Sequence, residues 1–94
     1  LSRLNTEDDY IAESEVFRVL DYDIEVKDKL ISEALKYLPE KKRNVILLSF
    51  FLDMTDTEIA KHMNLVRNTI HHHRVSSLQA LKKIMEGIRN GEIK

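Results

Sequence analysis

The amino-acid sequence predicts an all-α fold, a small helical bundle that ends in a helix-turn-helix. Two observations favour it. The 94 residues include only two glycines and one proline, so the residues that tight β-hairpins ordinarily need are scarce. From Ile24 onward, apolar residues recur every three or four positions, which is the period of one face of an α-helix. A chain of this length forms one domain, or one domain with a tail.

The composition also excludes several classes of protein. At 43% hydrophobic and 33% charged residues, the chain can bury a small core and is not composed like a disordered protein. The absence of cysteine excludes disulfides, zinc sites built from thiolates and thiol nucleophiles. The longest apolar stretch is far shorter than the roughly 20 residues that span a bilayer, so we expect no membrane partner. The chain begins with Leu1 rather than Met, and we expect it to be a fragment of a longer protein.

The net charge of -1 conceals an uneven distribution. Residues 1–40 contain eleven acidic and five basic residues, a net charge of -6. Residues 41–60 are neutral, and residues 61–94 contain two acidic and seven basic residues, a net charge of +5. If the basic groups share one face, a polyanion is the expected partner of the last third of the chain. The alternative is a charged surface that only keeps the protein soluble.

The first part of the chain predicts a weakly ordered segment followed by a helix. Residues 1–22 are acidic and have only a loose apolar period, so we interpret them as an arm or a linker. The helical domain then covers residues 23–90. Its first helix is predicted over residues 24–37, with Asp21 or Asp23 as the N-cap. Because Pro39 lacks a backbone N–H and restricts the residue before it, this helix ends there.

Pro39 is equally suited to the first turn of a second helix, which we predict from Pro39 to Leu52. Its apolar residues cover most of the circumference of the helix. A helix of this kind lies at the centre of a core or has a second apolar partner.

The residues that follow predict a helix-turn-helix. Thr55 and Glu58 have the spacing of a capping box, in which each side chain bonds the other residue's backbone N–H. The helix that starts there is only about two turns long, too short to be stable without neighbours. Asn64 tolerates the left-handed conformation that a tight turn requires. The small Ala60 lies where the axes of the two helices must approach each other.

A long basic helix is predicted after this turn, from about Arg67 to Glu86. We expect Gly87 and Gly91 to end this helix. In a helix-turn-helix protein the second helix enters the major groove of DNA. Its inner row is predicted to contain Ile70, Arg74, Ser77 or Leu78, Leu81, Ile84 or Met85, and Ile88.

The segment from Leu38 to Met85 resembles region 4 of the sigma-70 family of bacterial RNA polymerase sigma factors. Within that family, it most resembles the small sigma-like proteins carried by conjugative elements of Gram-positive bacteria. The matching motifs are Leu38-Pro39-Glu40 at a helix start, an apolar run ending near Asp53, Thr57-Glu58-Ile59-Ala60, the Met63-Asn64-Leu65 turn and the pair Leu78 and Leu81.

The resemblance implies a cytoplasmic protein that binds double-stranded promoter DNA at a -35 element and docks on core RNA polymerase. It implies no cofactor. The positions that match the DNA-binding residues of the family are Arg67, Asn68, His71, His72, Arg74 and Lys82. The positions that match its apolar docking groove on the polymerase are Val45, Leu48, Phe51 and Leu52, with Phe50 as an additional candidate.

The chain departs from the family pattern in ways that weaken DNA binding. Val66 replaces the usual Ser or Thr and cannot cap the second helix. His71 stands where a basic residue is common, and a neutral imidazole attracts phosphate less than arginine does. We therefore expect the isolated domain to bind DNA poorly. The domain that reads the -10 element in the family has no counterpart in these 94 residues.

Other interpretations compete with DNA binding. One of them is a metal site formed by three consecutive histidines, His71, His72 and His73. On a helix, successive side chains point about 100° apart, so these three cannot converge on one metal ion. We predict no metal site, and we expect His73 to be partly buried. For Arg74, two roles remain open: a stem lying on apolar neighbours with its head at the surface, or a phosphate contact.

The sequence offers no arrangement of nucleophile and base and no glycine loop for phosphate, so we predict no catalytic activity. The alternative function is a protein-interaction module that binds RNA polymerase or a regulator without strong DNA binding. In the DNA-binding interpretation, the acidic arm competes with DNA for the basic helix, so deleting residues 1–22 should raise DNA affinity. The competing interpretation of the arm is a linker that lies free.

Overall fold

The computed structural model describes residues 14–93. Within them the chain is mainly helical, as predicted, but it begins with a β-hairpin that an all-α fold does not include. The acidic residues Glu7, Asp8, Asp9 and Glu13 of the predicted arm lie outside the described residues. The elements in chain order are β1 (Glu15–Val19), β2 (Tyr22–Val26), α1 (Lys29–Leu35), α2 (Glu40–Ile46), a π-helical segment (Leu47–Phe51), α3 (Asp56–Met63) and α4 (Arg67–Arg89).

The hairpin corrects the predictions for residues 14–28. β1 and β2 pair antiparallel with Val19 opposite Tyr22. Alternate residues face the helices, so Val19, Ile24 and Val26 are buried in the core. The helix predicted from Ile24 is therefore wrong over β2, and the boundary at residue 22 falls inside the hairpin. The hairpin turn contains Leu20 at φ 56, a left-handed conformation without the glycine that usually signals it.

Helix α1 begins later than predicted because Asp28 is its N-cap. The Asp28 carboxylate accepts a hydrogen bond of 2.9 Å from the backbone N–H of Ile31. This replaces Asp21 and Asp23, which lie in the hairpin. Helix α2 begins one residue later than predicted, because Pro39 is its N-cap and Glu40 is its first residue.

Helix α2 and the π-helical segment after it form the centre of the core, as the apolar circumference of this stretch predicts. Val45 and Leu48 are both 0% exposed. The prediction that these two side chains contribute to a polymerase-docking surface is therefore wrong, because the domain's own helices already cover them. Leu52 is half-buried, whereas Phe50 and Phe51 are exposed.

Helix α4 is the spine of the domain, and it packs against α1, α2 and α3. Its inner row includes the buried residues Ile70, Ser77 and Leu81. It continues beyond the predicted end at Glu86 to Arg89, so Gly87 lies inside the helix and does not stop it. A Cβ atom at Gly87 would lie 2.6 Å from the Cδ1 atom of Ile93, so the missing side chain lets the C-terminal residues fold back onto α4. None of the described helices combines the length and apolar character needed to cross a bilayer.

Candidate nucleic-acid interface

The helix-turn-helix consists of α3, a tight turn and α4, and local interactions build it. The Thr55 hydroxyl accepts a hydrogen bond from the Glu58 backbone N–H at 3.2 Å, and the Glu58 carboxylate accepts one from the Thr55 N–H at 2.9 Å. The predicted capping box is therefore confirmed. Asn64 adopts the left-handed conformation at φ 57 and ψ 44, as predicted. The Leu65 N–H then bonds the Ala60 carbonyl oxygen at 2.9 Å, which closes the turn.

The start of α4 carries no side-chain cap. Val66 stands at the N-cap position in extended conformation, is 67% exposed, and accepts no hydrogen bond with its side chain. The first N–H groups of a helix have no partner within the helix, and they form the positive end of its dipole. Arg67 follows immediately and is also exposed. The exposed end of α4 therefore presents positive charge from both the backbone and a side chain.

The outward face of α4 is mainly polar and carries several basic residues. Because α-helical residues advance by 100°, the buried Ile70, Ser77 and Leu81 place the opposite face in solvent. The helix contains five basic residues and one acidic residue, Glu86. The predicted residues that are exposed on this helix are Arg67, Asn68, His71, His72 and Lys82. His73 is partly buried, as predicted.

Sequence reasoning overlooked two further residues of this face. Val75 is 41% exposed, and Gln79 is also exposed. They lie three and seven residues after His72, so the 100° step between helical residues places them on the same side. A valine methyl can contact the methyl group of thymine, and a glutamine amide can pair with adenine in the major groove. The helical period alone could have identified both.

Arg74 joins the two helices of the motif. Its Nε atom donates to Asp56 Oδ1 at 3.0 Å, and its Nη2 atom donates to Asp56 Oδ2 at 2.9 Å. The two side chains are largely shielded from solvent, with 29% of Arg74 and 16% of Asp56 exposed. A bidentate pair of this kind is both stronger and more specific in geometry than a single hydrogen bond. The guanidinium is therefore used inside the motif, and sequence reasoning had not identified Asp56 as its partner.

The ion pair changes the titration of both groups. The hydrogen bond from Arg74 lowers the pKa of Asp56 below its ordinary value. The same hydrogen bond raises the pKa of Arg74. Both groups therefore stay charged at neutral pH and hold the start of α3 against the side of α4.

A second exposed feature lies at the end of the π-helical segment. Phe50 is 52% exposed and Phe51 is 37% exposed. Two adjacent exposed aromatic side chains are unusual on a polar surface and often mark a contact with another protein. Of the five predicted docking residues, Phe50, Phe51 and the half-buried Leu52 remain accessible to a partner.

The fold and this face define a DNA-binding domain of the helix-turn-helix class, in which the second helix presents exposed basic and polar residues. The sequence model of the family described as "Sigma-70, region 4" matches residues 28–81, which is more than half of the chain. The chain therefore belongs to the sigma-70 region 4 family. The match begins at the N-cap of α1 and leaves the β-hairpin outside. Comparisons with curated proteins and with solved structures gave no significant match.

Proposed function

We propose that this protein is a sigma-like transcription factor that recognises a -35-type promoter element with α4 and docks on bacterial RNA polymerase. The observation that carries the proposal is the exposed, basic outward face of α4 in a domain of the region 4 family. In sigma factors, this domain binds both the -35 element and the polymerase. The finer placement among the small sigma-like proteins of Gram-positive conjugative elements belongs to the same proposal and rests on the sequence resemblance.

Within this proposal the predicted residues take different roles. The first two turns of α4 carry four of these residues, Arg67, Asn68, His71 and His72. In helix-turn-helix proteins, this part of the second helix reaches the base edges. Lys82 lies about four turns after Arg67 and is suited to a phosphate contact. Arg74 supports the motif through Asp56, and this accounts for its half-buried position better than a direct phosphate contact does.

The first experiment identifies the DNA target. Full-length protein, together with core RNA polymerase, is used to select bound duplexes from a random pool. We expect one enriched sequence, and binding of that duplex should weaken steeply as salt rises. If the protein binds core polymerase but enriches no sequence, the alternative function, a protein-interaction module without strong DNA binding, is supported instead.

Substitutions then separate base contacts from phosphate contacts. Arg67→Ala should reduce discrimination at one base pair by about 1–3 kcal/mol if Arg67 reads a base edge. Lys82→Ala should weaken binding about equally on all sequences and lower the salt slope by about one. Arg89→Ala, at the far end of α4, is the matched control and should change neither quantity. An equal loss on all sequences for Arg67→Ala would make Arg67 a phosphate contact.

The polymerase contact is tested at the exposed aromatic pair. The double substitution Phe50→Ser with Phe51→Ser should weaken binding to core polymerase while the melting temperature stays close to that of the wild type. Val16→Ser is the control, because Val16 is an apolar residue that is 61% exposed on the hairpin and is not among the predicted docking residues. Unchanged polymerase binding in the double variant would remove Phe50 and Phe51 from the docking surface.

A further inference from the structure

Three side chains meet between the start of α3 and the second turn of α4. Arg74 bonds Asp56 through two nitrogens, as described above. Its Nη2 atom also lies 3.2 Å from the Nδ1 atom of His71, which is the residue one turn earlier on α4. The His71 Nδ1 atom lies 3.6 Å from Asp56 Oδ2, which is too long for a hydrogen bond. The contact of His71 is therefore with the guanidinium.

The chemistry of arginine decides which nitrogen of His71 carries the proton. A guanidinium has five N–H donors and no acceptor. An Nη2–Nδ1 distance of 3.2 Å is favourable only if Nδ1 accepts, and an unprotonated Nδ1 in a neutral imidazole places the proton on Nε2. The carboxylate of Asp56 completes the arrangement because it fixes the orientation of the guanidinium through both oxygens.

The orientation of the ring determines what this proton can reach. Nδ1 is turned towards the Arg74–Asp56 pair, so Nε2 lies on the other side of the ring. The His71 side chain is 54% exposed, and it lies on the outward face of α4 between Asn68 and Val75. A neutral imidazole held in this way offers one N–H donor to an acceptor outside the domain.

We infer that Asp56 and Arg74 are positioning residues that hold His71 in a single tautomer, with its Nε2–H group presented as a donor to DNA. The inference rests on the proposed function. The matching acceptors are guanine O6 or N7 and adenine N7 in the major groove, and the phosphate oxygens. Where a basic residue would attract the DNA by its charge, a neutral His71 offers a hydrogen bond of defined direction. This exchange favours sequence specificity over binding affinity.

The tautomer is measurable without DNA. In the full-length protein labelled with 15N-histidine, we expect the His71 Nδ1 signal of an unprotonated nitrogen and the Nε2 signal of a protonated one. His72, the exposed neighbour, is the internal reference for a histidine without this support. In Arg74→Leu and in the milder Asp56→Asn, we expect the His71 signals to move towards those of His72. A proton on Nδ1 in the wild type, or unchanged signals in both variants, would overturn the inference.

The role in DNA binding is tested with two replacements of His71 that keep different atoms. His71→Gln carries an amide donor near the position of Nε2, whereas His71→Asn carries one only near Nδ1. On the selected duplex bound with core polymerase, we expect His71→Asn to lose about tenfold in affinity or discrimination. We expect His71→Gln to retain most of both.

The pattern of the loss identifies the acceptor. A loss confined to one base pair indicates a purine edge, and an equal loss on all duplexes indicates a phosphate. Arg74→Lys and Asp56→Asn should reproduce the His71→Asn pattern while polymerase binding is unchanged, which a general loss of folding would not do. Wild-type affinity for His71→Asn would overturn the inference. If the wild type itself binds no duplex, the proposed function fails, and the histidine spectrum still reports on the positioning.

Discussion

Tyr22 of the hairpin and His62 of α3 are in edge-to-face contact, with ring centroids 6.1 Å apart and ring planes at 82°. The contact joins β2, which lies outside the family match, to the first helix of the helix-turn-helix. The hairpin also packs on α1, and Lys36 at the end of α1 bonds Glu15 at 2.7 Å. The hairpin is therefore an integral part of this domain and supports the position of α3.

The hairpin's contribution to stability can be measured with two valines of β1. Val19 is 1% exposed and Val16 is 61% exposed. We expect Val19→Ala to lower the free energy of unfolding by about 2 kcal/mol, because it leaves a cavity in the core. Val16→Ala should change it by less than about 0.5 kcal/mol. Urea unfolding measures both, and equal effects would mean that the hairpin does not share the core.

The hairpin also changes the design of the arm deletion. Because residues 15–26 form the hairpin and contribute to the core, a test of the acidic arm should remove residues 1–13 rather than 1–22.

A second pair of substitutions concerns two buried serines. Among the described residues, the Ser77 hydroxyl has no hydrogen-bond partner, whereas the Ser32 hydroxyl donates to the Lys29 carbonyl oxygen at 3.0 Å. Burying an unpaired hydroxyl is unfavourable, so Ser77→Ala should stabilise the domain by about 0.5–1 kcal/mol. Ser32→Ala should be neutral or destabilise it by about 1 kcal/mol. Thermal unfolding compares the two, and a destabilising Ser77→Ala would indicate a partner for this hydroxyl.

Substitutions at the two N-cap positions of the helix-turn-helix should have opposite effects on stability. Val66→Ser supplies the missing side-chain cap of α4 and should stabilise the domain by about 1 kcal/mol. Thr55→Val removes the cap of α3 with little change of shape and should cost about 1 kcal/mol. The free energy of unfolding from denaturant titration checks both. A Val66→Ser variant no more stable than the wild type would show that the start of α4 needs no cap.

The ion pair between Asp56 and Arg74 predicts a dependence of stability on acid. Because the folded-state pKa of Asp56 is lowered, its stabilisation is fully present above the ordinary aspartate pKa of about 3.9. It is lost as the pH falls through the lower folded-state value. Asp56→Asn should cost about 2 kcal/mol at pH 7, and the difference from the wild type should shrink below about pH 4.

Urea unfolding at pH 7, 4 and 3 measures this difference. Asp23→Asn is the control, because Asp23 forms an exposed pair with Arg18 at 3.0 Å and should contribute less than about 1 kcal/mol. A constant difference between wild type and Asp56→Asn across the three pH values would contradict the assigned ion pair.

Local signals in the sequence were enough to predict the helix-turn-helix. The capping box at Thr55 and Glu58, the left-handed Asn64 and the helix boundary at Pro39 each depend on residues within a few positions. The outward residues of α4 follow from the 100° step once one buried position is known. Such features can be predicted because their energies come from neighbours along the chain.

The remaining features depend on residues that are distant in sequence. The hairpin turn at Leu20 lacks glycine, and the five-residue strands are stabilised by burying Val19 and Val26 against helices that follow. Because their alternation is so short, β1 falls within the predicted arm, and only residues 24–26 of β2 fall within the predicted first helix. Arg74 finds Asp56 eighteen residues away, and Val45 is covered by the domain's own helices. Burial and ion pairing depend on contacts across the fold. The packing of the helices therefore decides which apolar side chains remain exposed and which charged side chains form pairs.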